Sequence, residues 1–270
     1  MIIDSLGVGE LGVIAVVAIL FVDPKKVATA AKAFGTLRRK WENLQREVKD
    51  QFDTLTLEEN LRDSLDGIRT VKAALRREAR DAVRELPASE RTVAAERVLE
   101  TLKEFPAFRD AKTIAAFSAT YEEIDTEIMI RYALAQGKRV YLPYVRDAEG
   151  NATPRMALAP ITDYDRDLVE GTFGILEPRH ELRPETALDV PEPLDLILVP
   201  GMAFDERGGR VGRGNGFYDR FLEGRDTLKV GIAFEAQVVR KKLPLETQDQ
   251  LLDALVTERK LSNFSQAQAV

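Results

Sequence analysis

The sequence predicts an α/β fold with three layers, in which helices flank a parallel or mixed sheet. Apolar runs of strand length at residues 113–117, 139–143 and 194–199 alternate with segments of helical period. This alternation is typical of parallel sheets, and a run that is apolar at every position indicates a strand buried on both faces. Six prolines between residues 150 and 193 predict loops that wrap the sheet.

The composition excludes several kinds of site and partner. The formal net charge of −6 argues against a dedicated nucleic-acid binder, so no nucleic-acid partner is expected. The absence of cysteine excludes disulfides, thiolate catalysis and cysteine zinc sites. The single histidine, His180, cannot form a histidine-rich metal site.

The first sixty residues have a different character from the rest. Residues 11–22 are uncharged and apolar, but they fall short of the roughly 17 to 25 residues that span a bilayer. A short transmembrane helix must therefore extend over residues 6–22, and the alternatives are a buried core helix or a signal peptide. Asp4 and Glu10 precede the run without any basic residue, and Asp-Pro-Lys-Lys follows it at residues 23–26, which argues against a cleaved signal.

A long amphipathic helix is predicted next. Apolar residues recur every seven positions at Val27, Phe34, Trp41 and Val48. The first half of the helix carries six basic residues and no acidic one: Lys25, Lys26, Lys32, Arg38, Arg39 and Lys40. Such a helix lies on an anionic membrane surface, and its charges stay cytoplasmic by the positive-inside bias. The sequence predicts a single-pass protein of the cytoplasmic membrane, held through residues 6–49, whose C-terminal part faces the cytoplasm.

This N-terminal pattern resembles the small A/B-type subunits of the twin-arginine protein translocase. The likeness covers about residues 1–50, with Glu10 where that family carries a polar residue and Phe34-Gly35 in the amphipathic helix. The resemblance implies a membrane-anchor domain, residues 1–53, that self-associates or contacts translocase components. The alternative is a coiled-coil hairpin that serves dimerisation.

The second domain is expected over residues 54–270, because Thr56 and Glu59 form a capping-box pattern that opens a new helix. This helix carries Lys72 and Arg76, which project from one face at i, i+4 spacing. On a helix with so many charges, the plain interpretation of the pair is a solvated face.

A glycine-rich loop follows the apolar run at residues 194–199. It contains Arg210 and Arg213, and it leads into a predicted helix that begins Phe-Tyr-Asp-Arg at residues 217–220. Five glycines lie within nine residues: Gly208, Gly209, Gly212, Gly214 and Gly216. Exposed backbone N–H groups, two arginines and a helix start form a candidate anion cradle. The spacing fits neither a P-loop nor a dinucleotide fingerprint, and the alternative is an ordinary surface turn.

Several separated motifs, in order, resemble those of the 5-formyltetrahydrofolate cyclo-ligase family over roughly residues 68–260. They are K-x-x-x-R at 72–76, E-[VI]-D-T at 123–126, F-G-I-x-E-P at 173–178, V-P-G-x-A-F-D at 199–205, R-x-G-x-G-x-G-[FY]-Y-D-R at 210–220 and D-x-[VL]-V-T at 253–257. Two positions depart from the family pattern. Asn215 stands where many members have lysine, and Gln248 stands where a histidine often precedes the aspartate.

The resemblance implies an enzyme that uses ATP and Mg²⁺ to convert 5-formyltetrahydrofolate to 5,10-methenyltetrahydrofolate, with release of ADP and phosphate. It implies that ATP contacts Lys72, Arg76, Arg210, Gly212, Arg213, Gly214, Asn215, Gly216, Phe217 and Tyr218. It assigns catalysis to Arg210, Tyr218 and Asp219, with Asp219 also the magnesium ligand, and folate binding to Glu123, Phe173 and Gly174.

Two other functions stay open at this point. One is a translocase-like membrane scaffold whose second domain binds a nucleotide or folate without turnover. Asn215 favours it, because the asparagine removes a possible phosphate charge. The other is a related enzyme that acts on a different substrate.

Overall fold

A seven-stranded mixed sheet forms the centre of the structure. The computed structural model describes residues 63–146, 155–171, 174–184 and 193–264, almost all of them in the second of the chain's two units, Leu65–Val270. In this described part of the chain, no helix has the length and apolar character needed to cross a membrane. The predicted anchor, the amphipathic helix and the boundary between residues 53 and 54 lie outside the described residues and stay predictions.

The helices of the described residues lie mostly before the centre of the chain. They are α1 (residues 63–84), α2 (Ala88–Glu104), α3 (Pro106–Asp110), α4 (Glu127–Ala135), α5 (Tyr164–Asp167) and α6 (Phe217–Leu222). Short 3-10 helices occur at His180–Leu182 and Glu235–Gln237.

The strands begin after α3 and extend to the end of the described chain. They are β1 (Thr113–Ala115), β2 (Arg139–Arg146), β3 (Arg155–Ile161), β4 (Leu168–Glu170), β5 (Leu176–Pro178), β6 (Leu196–Val199), β7 (Ala203–Asp205), β8 (Arg210–Val211), β9 (Leu228–Ile232), β10 (Val238–Val239), β11 (Ala254–Val256) and β12 (Leu261–Asn263).

The central sheet has the strand order β12-β11-β9-β6-β1-β2-β3. The five inner strands run parallel, whereas β3 and β12 at the edges are antiparallel to their neighbours. A smaller sheet pairs β10, β7 and β8, and β4 and β5 form a hairpin. The prediction of a mixed α/β sheet is confirmed.

Helices cover both faces of the central sheet. Successive side chains of a strand point to opposite faces, so the contacts of neighbouring residues in β6 show what covers each face. All residues of β6 are buried. Its Leu198 belongs to the hydrophobic cluster that includes Phe108 of α3 and Ile130 of α4. Its neighbour Ile197 belongs to a second cluster that includes Phe221 of α6. The predicted layers of helix, sheet and helix are therefore present.

The edge strand β3 is an element that the sequence did not predict. Residues 150–193 were expected to form loops, yet β3 pairs with β2 along its whole length. Its Pro160 lies opposite Tyr141 of β2. Proline, which lacks an N–H group, is tolerated in an edge strand. The prediction of loops was wrong for this part of the segment.

The central sheet has a topological switch point between β1 and β6. From β1 the chain continues to β2 and β3 on one side, and from β6 it continues to β9 and β11 on the other. Ligands of such sheets bind in the crevice at the carboxyl ends of the strands on either side of the switch. The crevice is bordered by the loop after β1, residues 116–126, and by the segment after β6, residues 200–216, which contains β7 and β8.

Candidate active site

An apolar cavity of about 170 Å³ opens at the switch point. Aromatic and aliphatic side chains from five parts of the chain form most of its wall: Phe117, Pro143, Tyr144, Val145, Met156, Ile175 and Phe217. A few polar residues complete the wall, among them Ser118, Glu123 and Tyr218. An apolar pocket with a few convergent polar groups is typical of a small-molecule site.

Glu123 brings a buried carboxylate to this cavity and is 6% exposed. Its Oε2 accepts hydrogen bonds from the backbone N–H and the hydroxyl of Thr120, at 2.9 and 3.0 Å. Its Oε1 lies 3.3 Å from the guanidinium of Arg213, which also pairs with Glu122 at 3.2 Å. The turn after β1 thus holds one face of the carboxylate, and Arg213 compensates its charge.

A second cavity, polar and about 390 Å³ in volume, lies on the other side of the glycine loop. Lys72 of α1 lines it and is 5% exposed, so the helix face is not merely solvated. The Lys72 ammonium donates to the carboxylates of Glu246 and Asp249 at 2.8 and 2.5 Å. Burial lowers the pKa of Lys72, but the hydrogen bonds to Asp249 and Glu246 outweigh it and hold the pKa above its ordinary value. Lys72 is therefore a fixed positive charge.

Arg76, one helical turn further along α1, ties this helix to the glycine loop. Its Nε donates to the carbonyl oxygen of Gly212 at 2.7 Å. Burial lowers the pKa of Arg76, while Asp249 and Glu246 oppose the shift, and a guanidinium stays protonated in proteins. Arg76 also lines the polar cavity.

The glycine loop needs glycine for two physical reasons. Gly214 and Gly216 have φ angles of 112° and 64°, which side chains with a Cβ rarely adopt. At Gly212, a Cβ would come within 2.8 Å of the Arg210 guanidinium. Gly216 precedes α6, which has only six residues, so the dipole of this helix is small.

Arg210 and Asp219 form an ion pair at the junction of the two cavities. An Arg210 Nη donates to the Asp219 carboxylate at 2.6 Å, and the arginine side chain is 2% exposed. Asp219 also accepts from the backbone N–H of Gln250 at 3.3 Å. The carboxylate keeps a partly exposed oxygen face, which is chemically suited to a hard cation such as Mg²⁺.

Tyr218 lies beside this ion pair and lines the apolar cavity. Burial raises the pKa of its phenol, the charge of Glu123 raises it further, and Arg210 opposes the shift. The phenol therefore stays protonated at neutral pH and can donate a hydrogen bond.

The two cavities share one wall. Arg210, Gly212, Asn215, Gly216 and Asp219 line both of them. The glycine loop thus separates the polar cavity from the apolar cavity. Two ligands bound on either side would meet across Arg210 and Asp219.

The structure divides the remaining predicted site residues between the two cavities. Arg213, Phe217 and Tyr218 line the apolar cavity, and Gly214 lines the polar one. Gly174, with a φ angle of 70°, precedes the cavity residue Ile175. Phe173 lies outside the described residues. The roles of all these residues stay predictions.

The structure also shows two site residues that the sequence did not indicate, Ser118 and Glu246, and it places Asp249, the aspartate after Gln248 in the family pattern, beside Lys72. The two acids face Lys72 across a separation of more than 170 residues, which leaves no local signal. Among the described residues, no group of three or more metal-binding side chains occurs. A Mg²⁺ ion here would need phosphate oxygens or water beside Asp219, which is how magnesium is usually held.

Comparison with known proteins agrees with this geometry. A family model described as the 5-formyltetrahydrofolate cyclo-ligase family matches residues 68–258. The chain belongs to this family. A second model, described as the mttA/Hcf106 family and of the TatA/B/E type, matches residues 5–51. Both predicted resemblances are confirmed. The first match also confirms the prediction that the chain is an enzyme of the cyclo-ligase family.

Relatives within the cyclo-ligase family come from distant organisms. The mitochondrial 5-formyltetrahydrofolate cyclo-ligase of Arabidopsis thaliana is 31% identical, over 72% of this chain and 76% of that protein. The Escherichia coli K12 5-formyltetrahydrofolate cyclo-ligase is 36% identical, over 58% of this chain and 84% of that protein. The NMR structure of Aquifex aeolicus 5,10-methenyltetrahydrofolate synthetase is 34% identical, with a TM-score of 0.60, and covers 72% of this chain and 93% of that one.

Proposed function

We propose that this chain converts 5-formyltetrahydrofolate to 5,10-methenyltetrahydrofolate with consumption of ATP and release of ADP and phosphate. The observation that carries the proposal is the wall shared by the apolar cavity and the polar one. Phosphoryl transfer depends chiefly on positioning the two reactants and neutralising charge. A folate on the side of Glu123 and a triphosphate on the side of Lys72 would meet at Arg210 and Asp219.

ATP supplies the phosphoryl group that turns the formyl oxygen into a leaving group. N10 of the folate then bonds to the formyl carbon and loses its proton, and the C–O bond breaks as phosphate departs. Lys72 and Arg76 neutralise phosphate charge from α1, and the loop N–H groups bind phosphate oxygens. Arg210 stabilises the charge that develops between the cavities. Asp219 would hold Mg²⁺, which would neutralise phosphate charge.

Glu123 and Tyr218 act on the folate side. The Glu123 carboxylate accepts hydrogen bonds from the amide and amine donors of the pterin ring. The protonated phenol of Tyr218 donates to a substrate oxygen and orients it. Phe173 and Gly174, which belong to the family motif at residues 173–178, are proposed to bind the folate.

The test is an assay of the full-length chain that follows methenyltetrahydrofolate absorbance, with and without ATP and with and without magnesium. We expect product formation only when 5-formyltetrahydrofolate, ATP and magnesium are all present, with one ADP per product. Absence of product at high enzyme concentration would refute the proposal.

The scaffold is the second candidate function, and Asn215 is the observation that favours it. Asn215 is exposed and lines both cavities, so a lysine there would face the phosphates. If the chain is a scaffold, calorimetry should detect binding of nucleotide or folate, but the assay should detect no turnover.

We also propose that the chain is tethered to the cytoplasmic membrane through residues 6–49, with its catalytic unit in the cytoplasm. The match of residues 5–51 to the mttA/Hcf106 family supports this location. Through the same segment, the chain self-associates or contacts translocase components.

A further inference from the structure

The described wall of the polar cavity carries little net positive charge. Four acidic residues line it. Five cationic residues line it as well: Arg69, Lys72, Arg76, Arg210 and Arg220. The formal charge of these side chains is therefore only +1. A triphosphate carries several negative charges, so a cation that is not already neutralised by an acid contributes most to its binding.

Most of these cations are already neutralised within the described chain. Three of them form ion pairs: Arg69 with Asp66, Lys72 with Glu246 and Asp249, and Arg210 with Asp219. Among the described residues, no acid forms an ion pair with Arg220, and its guanidinium donates to a backbone carbonyl oxygen, that of Asn215, at 3.0 Å. Arg220 therefore brings a charge to the cavity that the described fold does not use.

The Arg220 side chain lies against the backbone of the glycine loop. Its Nη1 makes the bond to the Asn215 carbonyl, and its Cζ lies 5.3 Å from the centre of the Phe217 ring. A Cβ at Gly216 would come within 2.9 Å of the same Nη1, so glycine leaves room for the guanidinium. Arg220 and Asn215 are both exposed and both line the polar cavity. Because a guanidinium has five N–H donors, others remain for a ligand.

We propose that Arg220 binds a phosphate group of ATP and supplies the positive charge that Asn215 does not. The inference rests on the proposed function, because it takes the triphosphate as the occupant of the polar cavity. A lysine at position 215 would bring an ammonium group to this part of the loop. Arg220 brings a guanidinium to the same place from α6, and the planar fork of its donors matches the oxygens of a phosphate.

The decisive variant is Arg220→Gln in the full-length protein. The amide can still donate to the Asn215 carbonyl oxygen, but it has no charge. The Kd for MgATP, measured by calorimetry without folate, and the KM for ATP should both rise about two- to tenfold. The KM for the folate and the melting temperature should stay at their wild-type values, since Arg220 is exposed and does not line the apolar cavity.

Arg220→Ala separates the charge from the contact with the loop. Alanine loses both, whereas glutamine loses only the charge. Equal rises in the Kd for MgATP in the two variants would support the inference. A rise in Arg220→Ala that is absent in Arg220→Gln would overturn it, because the side chain would then act only by holding the loop.

The salt dependence gives a second readout of charge. Exposed charges are screened, so the ratio of the Kd of Arg220→Gln to that of the wild type should fall toward one between about 50 mM and about 500 mM salt. A raised ratio that does not change with salt would overturn the inference, since it would indicate an effect of shape.

Arg225→Gln is the matched control. Arg225 also donates to a backbone carbonyl oxygen, that of Phe221 at 2.5 Å, and its Cζ lies 4.5 Å from the centre of the Phe221 ring. It lines neither cavity. This variant should leave the Kd for MgATP unchanged. A rise equal to that of Arg220→Gln would overturn the inference, because any arginine of this region would then have the same effect.

A lysine at position 215 should restore what Arg220→Gln loses. The double variant Arg220→Gln with Asn215→Lys should bind MgATP within about twofold of the wild type, because the charge returns to the same part of the loop. Asn215→Gln in the same background should restore nothing. If the lysine does not lower the Kd of Arg220→Gln, the two positions do not serve the same phosphates and the inference fails.

Binding and turnover together separate this inference from the proposed function. If the wild type binds MgATP but forms no product, the proposed function fails, and Arg220 is judged by the Kd values alone. If the wild type turns over and Arg220→Gln binds MgATP equally well, only the role of Arg220 fails. Absence of MgATP binding by the wild type would overturn both.

Discussion

At the scale of single residues, the ion pair between Arg210 and Asp219 couples catalysis to stability. The arginine side chain is 2% exposed, so removal of its partner leaves a buried charge without compensation. Asp219→Ala should therefore abolish turnover and lower the free energy of unfolding by about 3 kcal/mol. Urea unfolding and the methenyltetrahydrofolate assay measure the two effects.

The variant Asp219→Asn separates the two roles of this residue. Asparagine keeps an oxygen acceptor for Arg210 but lacks the negative charge that would hold Mg²⁺. Turnover should be lost while most of the stability is kept. Full activity of Asp219→Asn at saturating magnesium would contradict the assignment of the metal to Asp219.

Asn215 is the residue at which this chain departs most informatively from its family's pattern. It lines the polar cavity next to Arg76 and Arg220 but brings no charge. Asn215→Lys should lower the KM for ATP about two- to fivefold, because one exposed charge contributes modestly. Asn215→Gln is the control for size and should leave that KM unchanged. A KM that rises or stays constant in Asn215→Lys would show that the existing cations suffice.

At the scale of elements, the segment from β3 to β5 is held by Asp167 at the end of α5. Its carboxylate accepts from the Arg166 guanidinium at 2.7 Å and from the backbone N–H groups of Thr162 and Asp163, at 2.7 and 2.9 Å. The hydrogen bond from Arg166 is the largest cause that lowers the pKa of Asp167; burial opposes it, and the bonds from Thr162 and Asp163 add to it. The charged form is therefore the one that stabilises the fold.

This lowered pKa sets the sign of a pH effect. The stabilisation is present above the ordinary aspartate pKa of about 3.9 and is lost as the pH falls below it. Asp167→Asn should lower the free energy of unfolding by about 2 kcal/mol at neutral pH. The difference from the wild type should shrink as the pH falls below about 4. Denaturant unfolding at several pH values measures it.

Asp165→Asn is the control for this experiment. Asp165 also pairs with an arginine, Arg131, but both side chains are exposed. Solvent screens exposed ion pairs, so this variant should stay close to the wild type at every pH. A deficit for Asp167→Asn that persisted unchanged at low pH would show that its carboxylate charge is not what stabilises the segment.

At the scale of the whole molecule, the open prediction is the membrane anchor. A helix of residues 6–22 would rise about 25 Å at 1.5 Å per residue, somewhat less than a hydrocarbon core of about 30 Å. Small mismatches of this kind are accommodated by local thinning of the bilayer. Full-length protein should therefore stay in the membrane pellet through an alkaline carbonate wash, whereas a chain that lacks residues 1–54 should be soluble.

Protease treatment of intact cells tests the orientation. The catalytic unit should be protected until the membrane is permeabilised, because the basic residues after position 24 favour the cytoplasmic side. Cleavage of the catalytic unit from outside intact cells would contradict this topology. Release of the full-length protein by carbonate would contradict the anchor itself.

The sequence by itself determined the sheet with its flanking helices and the position of the glycine loop. These features depend on local patterns: the unbroken apolar run of β6, the alternation of strands and helices, and glycines where the backbone needs positive φ angles. The motifs around Glu123 and Asp219 were readable for the same reason, since each lies within a dozen consecutive residues.

Only the tertiary structure decided how those motifs meet. Lys72 has the sequence context of a solvated helix face, yet folding buries it against Glu246 and Asp249, which follow it by more than 170 residues. Pro160 suggested a loop, but β2 supplies a partner that accepts it at a sheet edge. Ser118 carries no motif at all. It lines the apolar cavity because strand order places β1 beside β6, and pairing between distant strands is a property of the folded chain and not of any local stretch.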